Sequence, residues 1–316
     1  MQKTSYHILL NARSGAAASG GVSAQMLYDF FSARGDVVSV DADTSVPFAK
    51  RLQRAALSPA PVLIAAGGDG TATALAQVAV DAGKTLAVLP LGTANLLARD
   101  LAIPLALEQS LQALAEMQPR RIDVGEVNGR IFLHKVVIGA VPGIAAAREQ
   151  IRGRSDLGAK LGFFAYFVRR LSRLRRFAAE ITPGTGDPHI ERVQSIAVAN
   201  NDYAAGVGQV FSRPKLDAGT LSLYLLRHLS FRDALRLATG MVFGTWRNDE
   251  AIEIENVRSL VIRTRFRLIR AMVDGEVVAL DGPLKFRIRP LALSILAPAP
   301  DPAVADEPAA EPAAVA

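Results

Sequence analysis

The sequence predicts an N-terminal α/β domain built on a doubly wound parallel sheet, followed by an all-β, sandwich-like domain. Over the first 120 residues, apolar runs that read as strands buried on both faces alternate with helical periods. After Met117 the pattern changes to alternating runs punctuated by turn dipeptides. The chain has 316 residues, of which 50% are hydrophobic and 21% charged, so it can bury substantial cores. At about 150 residues per domain, its length suits two domains. The expected divisions are residues 1–120, 121–297, and an acidic, Pro- and Ala-rich tail over 298–316 that reads as disordered.

The elements follow in order. Tyr6 to Leu10 is a short apolar strand ending in a small-residue loop, Asn11 to Gly21. Val22 to Ala33 has helical spacing, Val37 to Val40 is a strand, and Pro47 to Leu57 a helix. Pro61 to Ala66 and Leu86 to Leu89 are uninterrupted apolar runs, followed by helices at Thr71 to Ala82 and Ala94 to Leu101. This β-α-β-α order implies a parallel sheet, whose ligands bind at the carboxyl ends of the strands. Arg121 to Val127 and Arg130 to His134 flank Asn128-Gly129, a strong hairpin signal. Further alternating runs lie at Val193 to Ala199, Thr220 to Leu226, Ser259 to Leu268 and Leu284 to Ile288. Helical stretches interrupt them at Ala159 to Phe177 and Phe231 to Phe243.

Composition excludes several chemistries. There is no cysteine, so disulfides, thiolate metal sites and cysteine nucleophiles are ruled out. The 4 histidines are scattered, which leaves little for a zinc site. No apolar run near the middle exceeds Leu161 to Val168, far short of the roughly 20 residues of a membrane span. The N-terminus lacks a signal-peptide pattern, and a cytoplasmic protein is expected. Net charge is +6, and the tail carries four acids and no base, so the body favours an anionic partner.

Gly67-Gly68-Asp69-Gly70-Thr71 sits between a buried strand and a helix. Glycines there let backbone N–H groups approach an anion, and the helix N-terminus adds partial positive charge. Thr71 is placed to cap that helix. Asp69 is the odd element: a carboxylate beside a phosphate cradle suits a metal ion or a proton transfer. A tight strand-to-helix turn is the plainer alternative. One unit later, Pro90-Leu91-Gly92-Thr93-Ala94-Asn95 repeats the arrangement, so two neighbouring strand ends form a crevice. In the first loop, Asn11-Ala12-Arg13-Ser14-Gly15, Arg13 is a natural phosphate ligand or an exposed loop arginine. Neither the P-loop nor the dinucleotide fingerprint applies, because Gly21-Val22 stands where Lys-Ser/Thr is required and no Gly-x-Gly-x-x-Gly follows a strand. Val273-Asp274-Gly275-Glu276 is either a hairpin turn or a pair of acids reaching back to the crevice.

With these motifs the chain resembles the diacylglycerol kinase catalytic-domain family, which also holds sphingosine and ceramide kinases and bacterial soluble lipid kinases. The resemblance spans residues 5 to 297 and rests on Asn11 to Gly15, Gly67 to Thr71, Gly92 to Asn95, Leu161-Gly162 with Ala165-Tyr166, Val198 to Asn200, Pro214 to Leu221 and Asp274 to Glu276. It implies an ATP- and Mg²⁺-dependent kinase acting on a lipid hydroxyl, with a nucleotide-binding α/β domain, a β-sandwich lipid domain and a last strand able to return to the first domain. By position, Asp69 is then a general base or magnesium-linked carboxylate, and Asp274 and Glu276 complete the catalytic acids. Gly67, Gly68, Gly70, Thr71, Gly92 and Thr93 line the phosphates, with Asn11, Arg13, Ser14 and Asn95 nearby. Two positions depart from the family pattern. Ala218 stands where many bacterial members carry an acid of a structural magnesium site, leaving Asp217 as the candidate ligand. His134 stands where the family usually has Asn, either a polar contact or an ordinary strand-end histidine.

Residues 148 to 176 carry nine bases and two acids, interleaved with aromatic and aliphatic side chains. Such a stretch suits peripheral docking on an anionic membrane, and packing on the sandwich is the competing reading. Arg263, Arg265 and Arg267, and likewise Lys285, Arg287 and Arg289, each lie on one strand face, which solvation alone explains. No nucleic-acid-binding motif accompanies them, and a homodimer is left open. The expected acceptor is diacylglycerol, giving phosphatidic acid. The alternatives are ceramide or a sphingoid base, and, in another class, a non-catalytic lipid- or nucleotide-binding regulator. An NAD-kinase-like soluble acceptor fits the Pro90 to Asn95 loop poorly.

Overall fold

The computed structural model describes residues 4–11, 21–139, 175–204, 212–228 and 230–299. Its first part alternates strictly: β1 (Ser5–Leu10), α1 (Ala24–Ala33), β2 (Val37–Asp41), α2 (Phe48–Leu57), β3 (Val62–Gly67), α3 (Asp69–Ala82), β4 (Thr85–Pro90), α4 (Leu96–Asp100) and α5 (Leu107–Ala113). Strands β2, β1, β3 and β4 pair in parallel in that order. Every residue of β3 is buried, which is why the run from Val62 carries no polar alternation. A buried ion pair ties α2 to the strand ends. Arg51 donates through Nε to Asp41 at 2.7 Å and through Nη2 to the Leu10 carbonyl at 2.8 Å, beside the loop that leaves β1.

The second part is antiparallel: β5 (Gln118–Val127), β6 (Arg130–Phe132), β7 (Lys135–Ile138), β8 (Phe177–Pro183), β9 (His189–Val193), β10 (Ser195–Asn200), β11 (Leu221–Leu226), α6 (Phe231–Phe243), a 3₁₀ turn (Trp246–Asn248), β12 (Ile252–Val257), β13 (Ser259–Thr264), β14 (Leu268–Val273), β15 (Glu276–Asp281) and β16 (Leu284–Ala297). One sheet runs β12-β11-β10-β7-β14-β15. The other continues the parallel sheet in the order β2-β1-β3-β4-β16-β13-β8-β9, with β5 on β16 and β6 on β5. The two sheets sandwich a core that includes Ile181, Ile262 and Phe286 from one and Ile196, Leu223 and Val273 from the other.

Strand β16 joins the halves. Its first residues, Leu284, Phe286 and Ile288, fill the sandwich core. Its last, Leu293, Ile295 and Leu296, fill the α/β core, where Ser294 and Ile295 pair in parallel with Thr85 and Leu86 of β4. The register against β5 shifts between Arg289 and Leu293, so one strand changes partners and cores without breaking.

Several boundaries differ from the sequence expectation. Helix α3 starts at Asp69 rather than Thr71, because extended Gly68 is the N-cap and its carbonyl accepts from Ala72 N–H at 3.0 Å. Thr71 therefore lies inside the helix and caps nothing. Phe177 opens strand β8, pairing with Val193, and is not helical. The rest of the expected helix from Ala159 lies outside the described residues up to position 174. The run Val193 to Ala199 divides at Gln194, and Ser259 to Leu268 divides after Thr264, giving two strands each. Helix α5 was not expected, although Leu107, Leu111 and Leu114 have helical spacing. Among the described residues no helix is long and apolar enough to cross a membrane.

Because β16 serves both cores, damage to either should be felt by the whole chain. Leu293→Ala and Phe286→Ala, one in each core, should each cost about 3 kcal/mol. Unfolding by denaturant, followed by circular dichroism and by the single Trp246 in the second part, should give coincident transitions in both variants.

Candidate active site

The carboxyl ends of β3 and β4 lie side by side, and the two glycine loops that leave them touch through their backbones. A Cβ placed on Gly92 would stand 2.5 Å from the Gly68 Cα, and one on Gly68 would stand 3.3 Å from the Gly92 Cα. Only glycines allow this approach. It leaves the first-turn N–H groups of α3, those of Asp69, Gly70 and Thr71, without acceptors inside the helix and with its positive dipole end behind them. Asn11, at the end of β1, donates from Nδ2 to Thr71 Oγ1 at 3.0 Å, which gives Thr71 its role here.

Asp69 bridges the two loops. One carboxylate oxygen accepts from Leu96 N–H at 2.7 Å, at the start of α4. Asn95 is buried in the left-handed region, with φ of 48°. Its side chain folds back on its own loop, accepting from Gly92 N–H at 2.9 Å and donating to Gly92 O at 2.8 Å. Asn95 is thus the brace that shapes the second loop, while Thr93 stands exposed on it. Arg13 and Ser14 lie outside the described residues.

The opposite wall comes from the second half. The β14–β15 hairpin turns at Asp274-Gly275, with φ of 46° and 91°. That geometry suits an Asp-Gly pair in a type I′ turn. Asp274 is half-buried, and four donors occupy its carboxylate: Leu133 N–H at 2.6 Å and Thr73 Oγ1 at 3.0 Å on one oxygen, His134 N–H at 2.9 Å and Lys135 N–H at 3.0 Å on the other. Burial pushes this carboxyl up from the ordinary range, and the backbone donors and Thr73 pull it back. With both oxygens occupied, Asp274 ties helix α3 to strand β7 and positions the hairpin. The sequence reading placed it among the catalytic acids, whereas its geometry is that of an anchor. Glu276 is the acid that reaches the crevice. A Cβ on Gly70 would lie 2.6 Å from Glu276 Oε1, and Arg130 pairs with Glu276 at 3.3 Å. A pocket of about 200 Å³ opens here, with apolar walls from Leu52, Ala74 and Val273 and polar groups from Gln77, Arg130 and Glu276.

Behind the crevice lies a buried polar cluster that pattern alone did not reveal. Arg213 donates from Nε and Nη2 to Asp100 at 3.0 and 2.6 Å, and from Nη1 to the carbonyls of Leu133 and Asn200. It locks α4 of the first half to the β6–β7 turn and to the end of β10 of the second. His134 sits in the same cluster, with Nδ1 3.7 Å from Asp100. Burial, and then the cations of Arg213 and Lys135, hold its imidazole well below the usual range. Asp100 already serves Arg213, and among the described residues the Nε2 of His134 has no hydrogen-bond partner. Lys135 stands over the Tyr203 ring at 5.3 Å, and burial pulls its ammonium down to about 8.

Among the described residues no other acids gather around Asp217 as a metal cluster. Asp217 is partly exposed and lies 3.8 Å from Arg120. Its loop is held instead by buried Asp123, which accepts from Gly219 N–H at 2.7 Å and Leu291 N–H at 2.8 Å. Among the described residues no three acids or histidines converge as a metal cage.

Residues 5–127 match the diacylglycerol kinase catalytic domain, and residues 139–297 match the YegS C-terminal NAD kinase beta sandwich-like domain. Proteins named "Probable lipid kinase YegS-like" align along most of the chain. That of Pseudomonas syringae pv. tomato is 31% identical over 78% of this chain and 79% of its own. That of Pseudomonas aeruginosa PAO1 is 30% identical over 82% and 84%. A crystal structure described as a diacylglycerol kinase from Bacillus anthracis superposes with a TM-score of 0.65 over 96% of this chain and 98% of that one, at 18% identity, a likeness of fold.

Gly92→Ala should open the two loops and weaken binding of a nucleoside triphosphate by more than tenfold, whereas Gly68→Ala, with the looser contact, should cost less. Calorimetric titration of both folded variants checks the order. His134 makes stability pH-dependent. Its folded pKa is depressed, so its contribution is complete above the free imidazole range and is lost as pH falls. For one group the slope reaches about 1.4 kcal/mol per pH unit. Denaturant unfolding at about pH 7 and 5 should show a shallower loss in His134→Asn than in the wild type.

Proposed function

The chain belongs to the diacylglycerol kinase catalytic-domain family and is a lipid kinase, and from that premise we propose that it transfers the γ-phosphoryl group of ATP to the free hydroxyl of diacylglycerol. The observation that carries this reading is the apposition, across one crevice, of the glycine-lined N-terminus of α3 and the acidic β14–β15 hairpin. The first is built to receive phosphate oxygens. The second places Glu276 against Gly70, where charge on a transferred phosphoryl group must be managed.

The nucleotide phosphates would lie on the N–H groups of Asp69, Gly70 and Thr71, with Gly92 and Thr93 closing the other side. The pocket walled by Leu52, Ala74 and Val273 adjoins this point and suits the nucleoside. Asp69 has one oxygen committed to Leu96 N–H. Its other oxygen is the base in this reading: it takes the acceptor hydroxyl's proton as that oxygen attacks the γ-phosphorus and ADP departs. Such proton transfer contributes about 10²–10⁴-fold. Asp274 fixes the distance between the two walls. Magnesium enters here as part of the nucleotide substrate, neutralising its phosphates. With one or two carboxylates and no protein cage, the residues present fit that mode of binding, and Asp69 and Glu276 are the acids at hand. Diacylglycerol is the simplest acceptor for a chain of this family. Its acyl chains would enter the second domain, and ceramide is the nearest alternative.

Radiolabelled ATP offered with mixed micelles of diacylglycerol, ceramide, sphingosine or a total lipid extract tests the proposal. Label should appear in phosphatidic acid and fall at least about 10²-fold in Asp69→Asn, with little change in nucleotide affinity. Label on ceramide or sphingosine alone would replace the acceptor. An Asp69→Asn protein as active as the wild type would remove the base.

A further inference from the structure

The parallel sheet's continuation turns one face to the sandwich core, and among the described residues no element covers the other over β16, β13, β8 and β9. The register places the side chains of this open face. Lys285 and Arg287 of β16 oppose Val261 and Ser259 of β13. Arg263 opposes Glu180 of β8, and Arg192 of β9 opposes Ala178. Directly opposed residues share a face, and all four of these bases are exposed. Arg176 and Arg265 flank the strands and join Arg192 and Arg263 in lining a shallow pocket of about 580 Å³.

Few acids answer these bases. Glu180 pairs with Arg263 at 3.0 Å, and Glu126 takes Arg287 at 2.8 Å. Arg176, Arg192, Arg265 and Lys285 meet no carboxylate among the described residues. The face is also greasier than a solvated sheet requires. Ile190, on the pocket wall, is 71% exposed, and Phe266, next to Arg265 in the turn after β13, is 49% exposed. Guanidinium groups that mostly lack carboxylate partners, one of them stacked over Phe266 at 4.7 Å and with Ile190 beside them, suit the headgroup layer of a bilayer. There arginine takes phosphate in a bidentate grip while apolar side chains enter the interface. Single-stranded nucleic acid would instead call for a run of free stacking platforms, whereas here Ile190 is aliphatic and the Phe266 ring already carries Arg265 at 4.7 Å.

We propose that this sheet face docks the protein on membranes rich in acidic phospholipids, with the arginine-lined pocket receiving headgroup phosphates. The proposal deepens the lipid-kinase reading, since it says how the enzyme reaches an acceptor confined to a bilayer. It also gives a docking role to strand bases that solvation alone explained from the sequence. The basic run over 148–176 was the expectation from sequence, and of that run only Arg175 and Arg176 fall within the described residues.

Sedimentation of the full chain with sucrose-loaded vesicles tests it. Vesicles of phosphatidylcholine with phosphatidylglycerol should bind the wild type, pure phosphatidylcholine should bind it weakly, and added salt should release it. Arg192→Glu combined with Arg265→Glu should lower partitioning more than about tenfold. Neither residue touches the crevice, so the variant should phosphorylate a short-chain lipid alcohol in neutral detergent micelles at the wild-type rate. Equal vesicle binding by variant and wild type, equal wild-type binding to both vesicle types, or retention on nucleic acid in place of vesicles would overturn the proposal. If the variant misfolds, the salt and headgroup dependence of the wild type decides. The vesicle arm reads docking without turnover, so absence of lipid phosphorylation would count against the kinase reading alone.

Discussion

One fully hydrogen-bonded carboxylate holds the two walls of the crevice at a fixed separation. Asp274 accepts from Thr73 on the helix that presents the glycine loop, and from three consecutive amides at the start of β7. Removing an acceptor of that kind would leave several buried donors unpaired, at about 1–3 kcal/mol each. Its left-handed backbone is tolerated because Gly275 follows and because the turn aims the carboxylate inward. Glu276, two residues beyond Asp274, is thereby held against Gly70. Phosphoryl transfer needs little covalent help from the protein and much positioning, so this is the contact on which the chemistry rests.

Two further devices keep that geometry. Strand β16 contributes to both cores, so the halves do not hinge about a linker at this point. The Arg213–Asp100 pair, with the Leu133 and Asn200 carbonyls, closes the back of the crevice. A buried ion pair of this kind adds little net stability and is costly to break by halves, so its value lies in fixing one arrangement of the two domains. The helices and strands are ordinary; the contacts between the halves make the site.

Local signals carried much of this into the sequence. Uninterrupted apolar strands, glycine loops at their ends and the Asn128-Gly129 and Asp274-Gly275 turns were legible because each depends on a few neighbouring residues. Contacts between residues far apart in sequence were not. Nothing near Arg213 marks Asp100, 113 positions away, as its partner. Asp274 read as a catalytic acid because a motif shows residue type and spacing, not the four donors that consume its oxygens. Thr71 read as a cap because threonine favours that position, yet Gly68 can adopt the extended N-cap backbone and starts the helix earlier. Asn95 read as a ligand, while its amide closes its own loop.

The central claim is that a nucleoside triphosphate is held between the glycine loops and the Asp274–Glu276 hairpin. Hydrogen–deuterium exchange of the intact protein, with and without magnesium and a non-hydrolysable ATP analogue, tests it most directly. Slowed exchange should centre on residues 67–73, 92–96 and 274–276. Protection confined to other segments, with these three unchanged at saturating analogue, would contradict the account.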